Sequence, residues 1–242
     1  MPLKRLWKPS PFFSKRGDYP LDMIVIHHVG SKNGKLYSPG GTIRWFTDLE
    51  VHRNKETGKI ENKVSAHYLI TRQPYQHHDV VSFVHDWDVA YHAGRSEWEV
   101  DGTKRRGINK YSIGIELEGD GNFVEYTDFQ YDTLIQLIKE IREKYDIPDK
   151  LIVGHEEVSP GRKVDPGKYF DWAILMKGIS PEPEPIVMPP IEITSGEQQE
   201  DSTTKTEGSV VVDDFYMEDG KKENGSFIQA IFAFLQNLLS RS

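Results

Sequence analysis

Cysteine is absent from the 242-residue chain, and its absence excludes several kinds of protein at once. A chain without cysteine has no disulfide framework, no structural zinc site built on thiolates and no cysteine nucleophile. Any metal ion that the protein binds must therefore be held by histidine and carboxylate side chains.

Long apolar runs are also missing. No stretch approaches the roughly 18 consecutive apolar residues that a membrane-spanning helix needs, and the N-terminal sequence MPLKRLWKPSPFFSKRGDYP lacks the apolar run of a signal peptide. The sequence therefore predicts no transmembrane segment and predicts a protein that is cytoplasmic as synthesised. Lysis of the cell would allow such a protein to reach the cell wall.

Charge is unevenly distributed along the chain. Residues 178–225 hold twelve acidic residues and three lysines, whereas residues 1–177 hold 26 basic and 26 acidic residues. A neutral first part lacks the basic face of a nucleic-acid-binding protein, so no nucleic-acid partner is expected. The acidic segment, rich in Pro, Glu, Ser and Thr, can bury too little apolar surface to fold and is predicted to be a disordered linker.

The last residues differ again in composition. Apolar side chains crowd the segment 226–242, which is predicted to be an amphipathic helix at the end of the linker; they are Phe227, Ile228, Ile231, Phe232, Phe234, Leu235, Leu238 and Leu239. Only Arg241 is basic, which disfavours binding to anionic lipid. We therefore expect this helix to self-associate or to dock on a partner protein. The predicted organisation is an N-terminal extension (1–19), one folded domain (20–177), the linker (178–225) and the helix (226–242).

The folded part has the pattern of a mixed α/β domain. Residues 23–26 form a continuous apolar run that suits a strand buried on both faces. In residues 111–118, Ile113, Ile115 and Leu117 alternate with Gly114, Glu116 and Glu118, so the carboxylates project from the face opposite the apolar one. Residues 64–70 and 80–84 are further strand candidates.

Helices are predicted between these strands. Thr127 and Gln130 resemble a capping box, and apolar positions follow at helical spacing until Pro148; they are Phe129, Leu134, Leu137, Ile138, Ile141 and Tyr145. A shorter helix containing Ile43, Phe46 and Leu49 is expected after the Gly40-Gly41 turn, and another over residues 169–176. The predicted fold is a mixed central β-sheet flanked by helices.

Chemistry-bearing side chains lie at the ends of these elements. His27 and His28 end the first predicted strand, and His155 and Asp165 bracket one loop. Two imidazoles and a carboxylate are a ligand set that catalytic zinc sites use, with the fourth position left open. Because the chain has nine histidines, this pattern alone leaves open which of the two neighbours, His27 or His28, is the ligand.

Five motifs carry a family resemblance. The segments VIHHVGS, VSAHYLI, YHAGRS, YSIGIELEG and GHEEVSPGRKVDPGKYFDW resemble, in order and spacing, the type 2 N-acetylmuramoyl-L-alanine amidases. That family contains the cytoplasmic muropeptide-recycling amidase and many phage endolysins, and it is related to the peptidoglycan recognition proteins. The resemblance covers residues 20–177 and implies a single zinc-amidase domain. It also implies hydrolysis of the amide bond between N-acetylmuramic acid and L-alanine of peptidoglycan or its fragments.

The resemblance assigns the metal ligands. It implies Zn²⁺ bound by His27, His155 and Asp165, because the family pattern uses the first histidine of the pair rather than His28. Asp165 stands where some members of the family have cysteine, which is consistent with a chain that contains none.

The resemblance also assigns two catalytic residues. It implies that Glu116 transfers the proton and that Lys163 stabilises the tetrahedral oxyanion. The alternation of the strand turns Glu116 away from the apolar face, and Lys163 lies two residues before Asp165 on one loop. Ala66 stands where phage lysozyme-like members have a catalytic tyrosine, which favours the recycling-amidase branch, in which the glutamate does the proton work.

Other polar residues in the matched motifs are candidates for substrate binding. His67, His92, Asn109 and Arg162 are predicted to contact substrate, Arg162 through a peptide carboxylate. A structural role is the alternative for each, and an ion pair within the loop is the alternative for Arg162. Trp98 and Tyr91 are predicted to line the groove or simply to pack. Glu118 is predicted to be solvated, with a catalytic part as the alternative. The remaining histidines are predicted to lie at the surface; they are His52, His77, His78 and His85.

The biological substrate is the least constrained prediction. Short loops suggest an open groove and the long tail suits a lysin, so the sequence favours a cell-wall lytic enzyme of phage or prophage type acting on intact peptidoglycan. One alternative is a cytosolic muropeptide-recycling amidase. Others are a non-catalytic peptidoglycan-binding protein or a virion component, although a binding-only role is disfavoured because all five implied ligand and catalytic residues are present.

Overall fold

The structure, a computed structural model, describes residues 1–180. Nearly all of the predicted acidic linker and the whole predicted C-terminal helix lie outside the described residues. Within them the strands are β1 Arg5–Trp7, β2 Phe13–Lys15, β3 Met23–His28, β4 Ser31–Lys32, β5 Lys35–Leu36, β6 Tyr68–Ile70, β7 Val80–Ser82, β8 Asp88–Ala90, β9 Glu97–Val100, β10 Thr103–Arg106, β11 Ser112–Leu117 and β12 Ile152–Gly154. The α-helices are α1 Pro39–Thr47, α2 Asp128–Arg142, α3 His155–Val158 and α4 Trp172–Ile179. Three short 3₁₀ turns cover Leu49–His52, Ile108–Lys110 and Asp149–Leu151.

Six strands form the central sheet, in the order β1-β7-β6-β11-β3-β12. Strands β6, β11, β3 and β12 run parallel, β7 is antiparallel to β6, and β1 is parallel to β7. The mixed central sheet predicted from the sequence is therefore confirmed. Because the carboxyl ends of β3, β11 and β12 meet at one edge of the sheet, residues at those ends come together.

Strands β3 and β11 form the centre of the sheet, and their side chains explain why. Ile24 and Ile26 of β3 lie with Ile113, Ile115 and Leu117 of β11 in one apolar cluster with residues of α2 and α4. The opposite face of β11 is also buried, so the polar positions of the alternating pattern do not face solvent. They face the candidate site described below.

Helix α2 covers one face of the sheet as predicted. The capping box is present, with the Thr127 side chain accepting from the Gln130 amide and the Gln130 side chain accepting from the Thr127 amide. The helix ends at Arg142, before Tyr145, and α4 continues to the buried Ile179, two residues past the predicted domain boundary at residue 177. None of the helices described between residues 1 and 180 is long and apolar enough to cross a bilayer.

The segment predicted as an N-terminal extension is built into the fold. Strand β1 pairs with β7 at the edge of the central sheet, and β2 pairs with β8. Phe12 and Arg16 are buried, and Arg16 donates hydrogen bonds to the backbone oxygens of Lys110 (2.7 Å) and Asp88 (2.6 Å). Sequence analysis missed these two strands because each has three residues and pairs with a strand far along the chain.

Candidate metal centre and active site

Three predicted ligands converge at the carboxyl edge of the sheet. His27 lies near the end of β3, His155 begins α3 directly after β12, and Asp165 follows on the next loop. The Nδ1 atoms of His27 and His155 are 2.9 Å apart, and Asp165 Oδ2 lies 3.1 Å from the first and 2.9 Å from the second. All three side chains are buried. Strand order explains the cluster, since β12 pairs directly with β3.

The ring nitrogens of His27 and His155 that face Asp165 carry lone pairs rather than protons, and this arrangement favours a bound cation. His155 Nε2 lies 3.1 Å from the carbonyl oxygen of Ala93, which can only accept, so a neutral His155 carries its proton on Nε2 and turns an Nδ1 lone pair toward Asp165. Burial lowers the pKa of His27 to about 4, so its ring is neutral near pH 7. Nitrogen lone pairs and a carboxylate oxygen packed at these distances repel one another unless a cation lies among them. The set suits a zinc ion with three protein ligands and one open position.

The neighbouring histidine is excluded from this cluster by strand geometry. Successive residues of a strand point to opposite faces, so His28 faces away from His27. His28 Nδ1 accepts a hydrogen bond from the Gly121 amide (3.0 Å) and lies 3.3 Å from the Pro166 carbonyl oxygen. The structure thus brings His27, and not His28, to the other two ligands.

Glu116 lies beside the metal cluster. In the pairing of β11 with β3, Glu116 is directly opposite His27, so the two side chains point to the same face. The residue is 8% exposed, and burial, with the negative charge of Asp165, raises the pKa of its carboxyl group to about 8. The nearby charge of Lys163 acts in the opposite direction. Without a cation nearby such a carboxyl group is largely protonated at pH 7, and a cation in the adjacent cluster would lower its pKa and favour the carboxylate.

Lys163 is brought to the same region by the loop that ends at Asp165. Its amide donates to the Ser159 carbonyl oxygen at 3.1 Å, which starts a turn in this loop. The Lys163 ammonium is close enough to lower the pKa of both Glu116 and His27. The loop therefore presents a positive charge to the cluster from the side of Asp165.

His67 is fully buried, and both of its ring nitrogens are engaged by the backbone. Its Nδ1 accepts from the Gly114 amide (3.0 Å), and its Nε2 lies 3.2 Å from the Asp88 carbonyl oxygen. Burial lowers its pKa to about 3. The ring has no free nitrogen to offer a substrate, so these contacts fit the structural alternative rather than the predicted substrate contact.

His92 and Asn109 also make contacts inside the protein. His92 is 7% exposed, and its Nδ1 lies 2.9 Å from His27 Nε2. Asn109 Oδ1 accepts from the backbone amides of His92 (3.2 Å) and Ala93 (2.7 Å). His92 thus contacts the candidate ligand His27, and Asn109 holds the backbone of His92 and Ala93, as a structural role would require.

Arg162 is held by its own surroundings. Its Nη2, with two N–H groups, lies within hydrogen-bond distance of three oxygens: the Ala93 carbonyl (2.7 Å), the Arg95 carbonyl (2.9 Å) and Ser159 Oγ (2.6 Å). The guanidinium therefore joins the ligand loop to the segment around Ala93. This is a contact within the protein, as in the alternative interpretation, but with backbone oxygens instead of a carboxylate partner.

The predicted surface histidines are not all at the surface. His77 and His85 are exposed, with His85 stacked on the rings of Trp7 and Trp87, while His78 is half-buried. The prediction for His52 is wrong: it is 5% exposed, and its ring packs against Phe12 and Trp45. The N-terminal segment supplies Phe12, so the burial of His52 depends on a contact that local sequence does not reveal.

Glu118, Trp98 and Tyr91 are partly buried. Glu118 accepts a hydrogen bond from the Arg72 amide at 2.9 Å, so it is a bonded group and not simply a solvated one. Trp98 packs against the apolar cluster on the side of Val25 and Val153, and Tyr91 is half-buried.

Sequence analysis missed the residues that hold the loop behind Asp165. The Tyr126 hydroxyl donates to the Pro166 carbonyl oxygen at 2.7 Å. Gly121 approaches the same oxygen so closely that a Cβ there would lie 1.9 Å from it. The only signal of this contact was the glycine pair around Asp120, which suits a close backbone approach.

Comparisons with known proteins agree with this geometry. The profile of a family described as N-acetylmuramoyl-L-alanine amidase matches residues 17–168. The chain is 37% identical over 176 residues to the 1,6-anhydro-N-acetylmuramyl-L-alanine amidase AmpD of Haemophilus influenzae. That alignment covers 70% of this chain and 89% of the relative.

Solved structures show the same similarity. The crystal structure of a selenomethionine derivative of AmpD matches with a TM-score of 0.58 at 33% identity, over 74% of this chain and 94% of that one. The amidase AmiD of Escherichia coli, solved with the substrate anhydro-N-acetylmuramic acid-L-Ala-D-gamma-Glu-L-Lys, matches with a TM-score of 0.50 at 29% identity. That match covers 67% of this chain and 59% of AmiD.

Proposed function

Because the chain belongs to the N-acetylmuramoyl-L-alanine amidase family and is an amidase of this kind, we propose that its substrates are soluble anhydro-muropeptides. The amide bond cut would be the one between 1,6-anhydro-N-acetylmuramic acid and L-alanine. The name of the Haemophilus relative, which aligns over 89% of its own length, supports this choice. The preferred substrate therefore changes from intact peptidoglycan, which the sequence favoured, to soluble anhydro-muropeptide.

The observation that carries the reaction is the cluster of His27, His155 and Asp165 beside Glu116. We propose that the cluster holds Zn²⁺, since two neutral imidazoles and one carboxylate match its preferred ligands in catalytic sites. A zinc ion bound there supplies Lewis-acid activation of water and of the scissile carbonyl group.

Glu116 is the proposed carrier of the proton. It accepts a proton from the attacking water as the water oxygen bonds to the carbonyl carbon. It then returns that proton to the amide nitrogen as the carbon–nitrogen bond breaks. The products are a free muramic carboxylate and a peptide that begins with L-alanine. Burial raises the pKa of this carboxyl group to about 8 without a bound cation, and a dication in the neighbouring cluster would lower it. The carboxylate that accepts the first proton and the acid that returns it would then both be accessible near neutral pH.

Lys163 is the proposed electrostatic partner of the carbonyl oxygen. Negative charge develops on that oxygen when the tetrahedral intermediate forms, and an ammonium group nearby would stabilise it. Its effect on the pKa of Glu116 and His27 supports a position close to the reacting groups.

The test is a parallel digestion of anhydro-muropeptide and of purified intact peptidoglycan, with mass spectrometry of the products. We expect free peptides beginning with L-alanine from both, released faster from the soluble substrate. Chelation should stop both reactions, and added zinc should restore them. Faster release from intact wall would overturn the substrate proposal, and full activity in chelator would overturn the metal proposal.

Intact peptidoglycan is the second candidate, and one feature of the surface favours it. Val164, next to Asp165, is 61% exposed, and Phe123, on the loop that contacts Pro166, is 69% exposed. Exposed apolar side chains on the Asp165 loop and on the loop packed against it suit a large substrate better than an enclosed small one. The same digestion decides between the two candidates.

A further inference from the structure

A second imidazole lies directly behind one metal ligand. His92 Nδ1 is 2.9 Å from His27 Nε2, the ring nitrogen that faces away from Asp165, and the two rings meet edge to face at 5.0 Å between centroids. On its other side, His92 Nε2 lies 3.3 Å from Ser112 Oγ. A continuous hydrogen-bonded chain therefore runs from Ser112 through His92 to His27.

The hydrogen bond made by Ser112, at the far end of this chain, determines which atom donates in each of the other hydrogen bonds. Ser112 Oγ lies 2.8 Å from the carbonyl oxygen of Ile108, and two oxygens this close need a proton between them. A carbonyl group has none, so the serine donates its single proton there and can only accept from His92. His92 thus carries its proton on Nε2 and presents a lone pair on Nδ1.

That lone pair decides the tautomer of the metal ligand. For His92 Nδ1 to accept, His27 must carry its proton on Nε2 and keep its lone pair on Nδ1. Nδ1 is the atom that lies 2.9 Å from His155 Nδ1 and 3.1 Å from Asp165 Oδ2. The opposite tautomer would put a proton where a metal ion must bind.

The position of the His92 ring is closely fixed by its neighbours. A Cβ on Gly114 would lie 2.3 Å from His92 Cγ, so the ring packs on bare backbone of β11. Asn109 Oδ1 accepts from the His92 amide at 3.2 Å. Ser112, Gly114 and Glu116 share one face of β11. The strand that carries Glu116 therefore also holds the hydrogen-bonded chain Ser112–His92–His27, which we call the relay.

We propose that Ser112 and His92 are positioning residues that hold His27 in the tautomer required for metal binding. The inference rests on the proposed metal site and assigns a task to two buried polar residues behind His27. Partners of this kind, bonded to the outer nitrogen of a ligating histidine, typically change metal affinity by about 10- to 100-fold.

The central test is Ser112→Ala in the full-length protein, with zinc affinity measured by competition with a chromophoric chelator. Without the hydroxyl acceptor, the His92 proton is free to move to Nδ1, which favours the wrong tautomer of His27. We expect zinc to bind about 10-fold more weakly. An affinity equal to that of the control below would overturn the proposal.

The matched control is Ser65→Ala. Ser65 is as fully buried as Ser112, and its hydroxyl also makes one donated and one accepted bond, to the Phe12 carbonyl oxygen (2.6 Å) and from the Tyr91 amide (2.9 Å). The Ser65→Ala variant should lose a comparable amount of stability, and it changes no side chain between Ser112 and His27, although Ser65 bonds the amide next to His92. Its zinc affinity should match that of the wild type. Melting temperatures of the metal-free variants confirm that the pair is matched.

A second pair of variants tests His92 itself. Asparagine and leucine have similar shapes, but only asparagine can place an oxygen acceptor near the former Nδ1 position. We expect His92→Asn to keep zinc affinity within a few fold of the wild type and His92→Leu to lose about 10- to 100-fold. Equal affinities in the two variants would contradict the relay, because they would show that ring packing alone matters.

Long-range ¹H–¹⁵N spectra of histidine-labelled protein report the tautomers directly and do not depend on activity. In the metal-free wild type we expect both His27 and His92 to be protonated on Nε2, with the His92 pattern changed in Ser112→Ala. A wild-type His92 protonated on Nδ1 would overturn the relay. If the wild type has these tautomers but binds no zinc, the proposed metal site fails while the relay stands.

Discussion

Glu116 shows at the scale of one residue how the fold prepares a side chain for chemistry. A glutamate on a solvated strand face would be ionised and would bind protons poorly near pH 7. Here the second face of the sheet is covered, so the carboxyl group is buried, and burial with the charge of Asp165 raises its pKa to about 8. The same position places it opposite His27 on the next strand.

The first prediction separates proton transfer from metal binding. Glu116→Gln keeps the shape of the side chain but removes its acid and base function, so we expect turnover to fall by about 10²- to 10⁴-fold. Metal content should stay that of the wild type, whereas Asp165→Asn should lose metal and activity together. The measurement is product release by mass spectrometry beside metal analysis of the same samples. A Glu116→Gln protein with more than a tenth of normal turnover would contradict the proposed role.

A second prediction concerns stability against pH in the metal-free protein. The folded-state pKa of Glu116 is raised from its ordinary 4.5 to about 8, so its contribution to folding is fully present below pH 4.5 and is lost as pH rises through 8. Glu116→Gln cannot ionise and should lose less stability over that interval, a difference of about 3 to 5 kcal/mol. Urea unfolding of both proteins at pH 5 and pH 9 measures it. Parallel curves for the two proteins would show that burial does not tune this carboxyl group.

At the scale of elements, the site depends on how closely the Asp165 loop packs against the ends of the strands. Gly154 ends β12, and a Cβ there would lie 2.8 Å from Pro166 Cδ. Gly121 meets the Pro166 carbonyl oxygen, to which the Tyr126 hydroxyl also donates. Small residues at these positions let the loop approach the sheet, which sets the distance between Asp165 and the two histidines.

The third prediction tests that packing with Gly121→Ala. Its Cβ would lie 1.9 Å from the Pro166 oxygen, so the Asp165 loop must move. We expect zinc affinity to fall at least several-fold and stability to fall by about 1 to 3 kcal/mol. Gly40→Ala is the control, because its Cβ would meet only Tyr75 Oη at an ordinary 3.8 Å. Chelator competition and thermal melting measure the two effects, and equal zinc affinity in the two variants would show that the loop is held in some other way.

Across the whole molecule, the structural elements that depend on a local sequence pattern were predicted correctly. The apolar run of β3, the alternation of β11 and the capping box of α2 were all found, because each is a property of neighbouring residues. The predicted ligands also converge, because His27 and His155 sit at the ends of paired strands. What could not be predicted depends on contacts between distant segments. Strands β1 and β2, the burial of His52 and the engaged ring nitrogens of His67 belong to this class.

The C-terminal boundary of the catalytic unit gives the last prediction. Ile179 is 5% exposed in the main apolar cluster, and a Cβ on Gly178 would lie 2.3 Å from Ile135 Cδ1, so the end of α4 packs tightly on α2. A chain ending at Ser180 should therefore hydrolyse soluble substrate at the full-length rate and unfold at nearly the same urea concentration. A chain ending at Lys177, the boundary suggested by the sequence, removes Ile179 and should be less stable by about 2 kcal/mol or more. If the longer fragment fails to fold or loses activity, residues beyond Ser180 belong to the catalytic unit rather than to a separate linker.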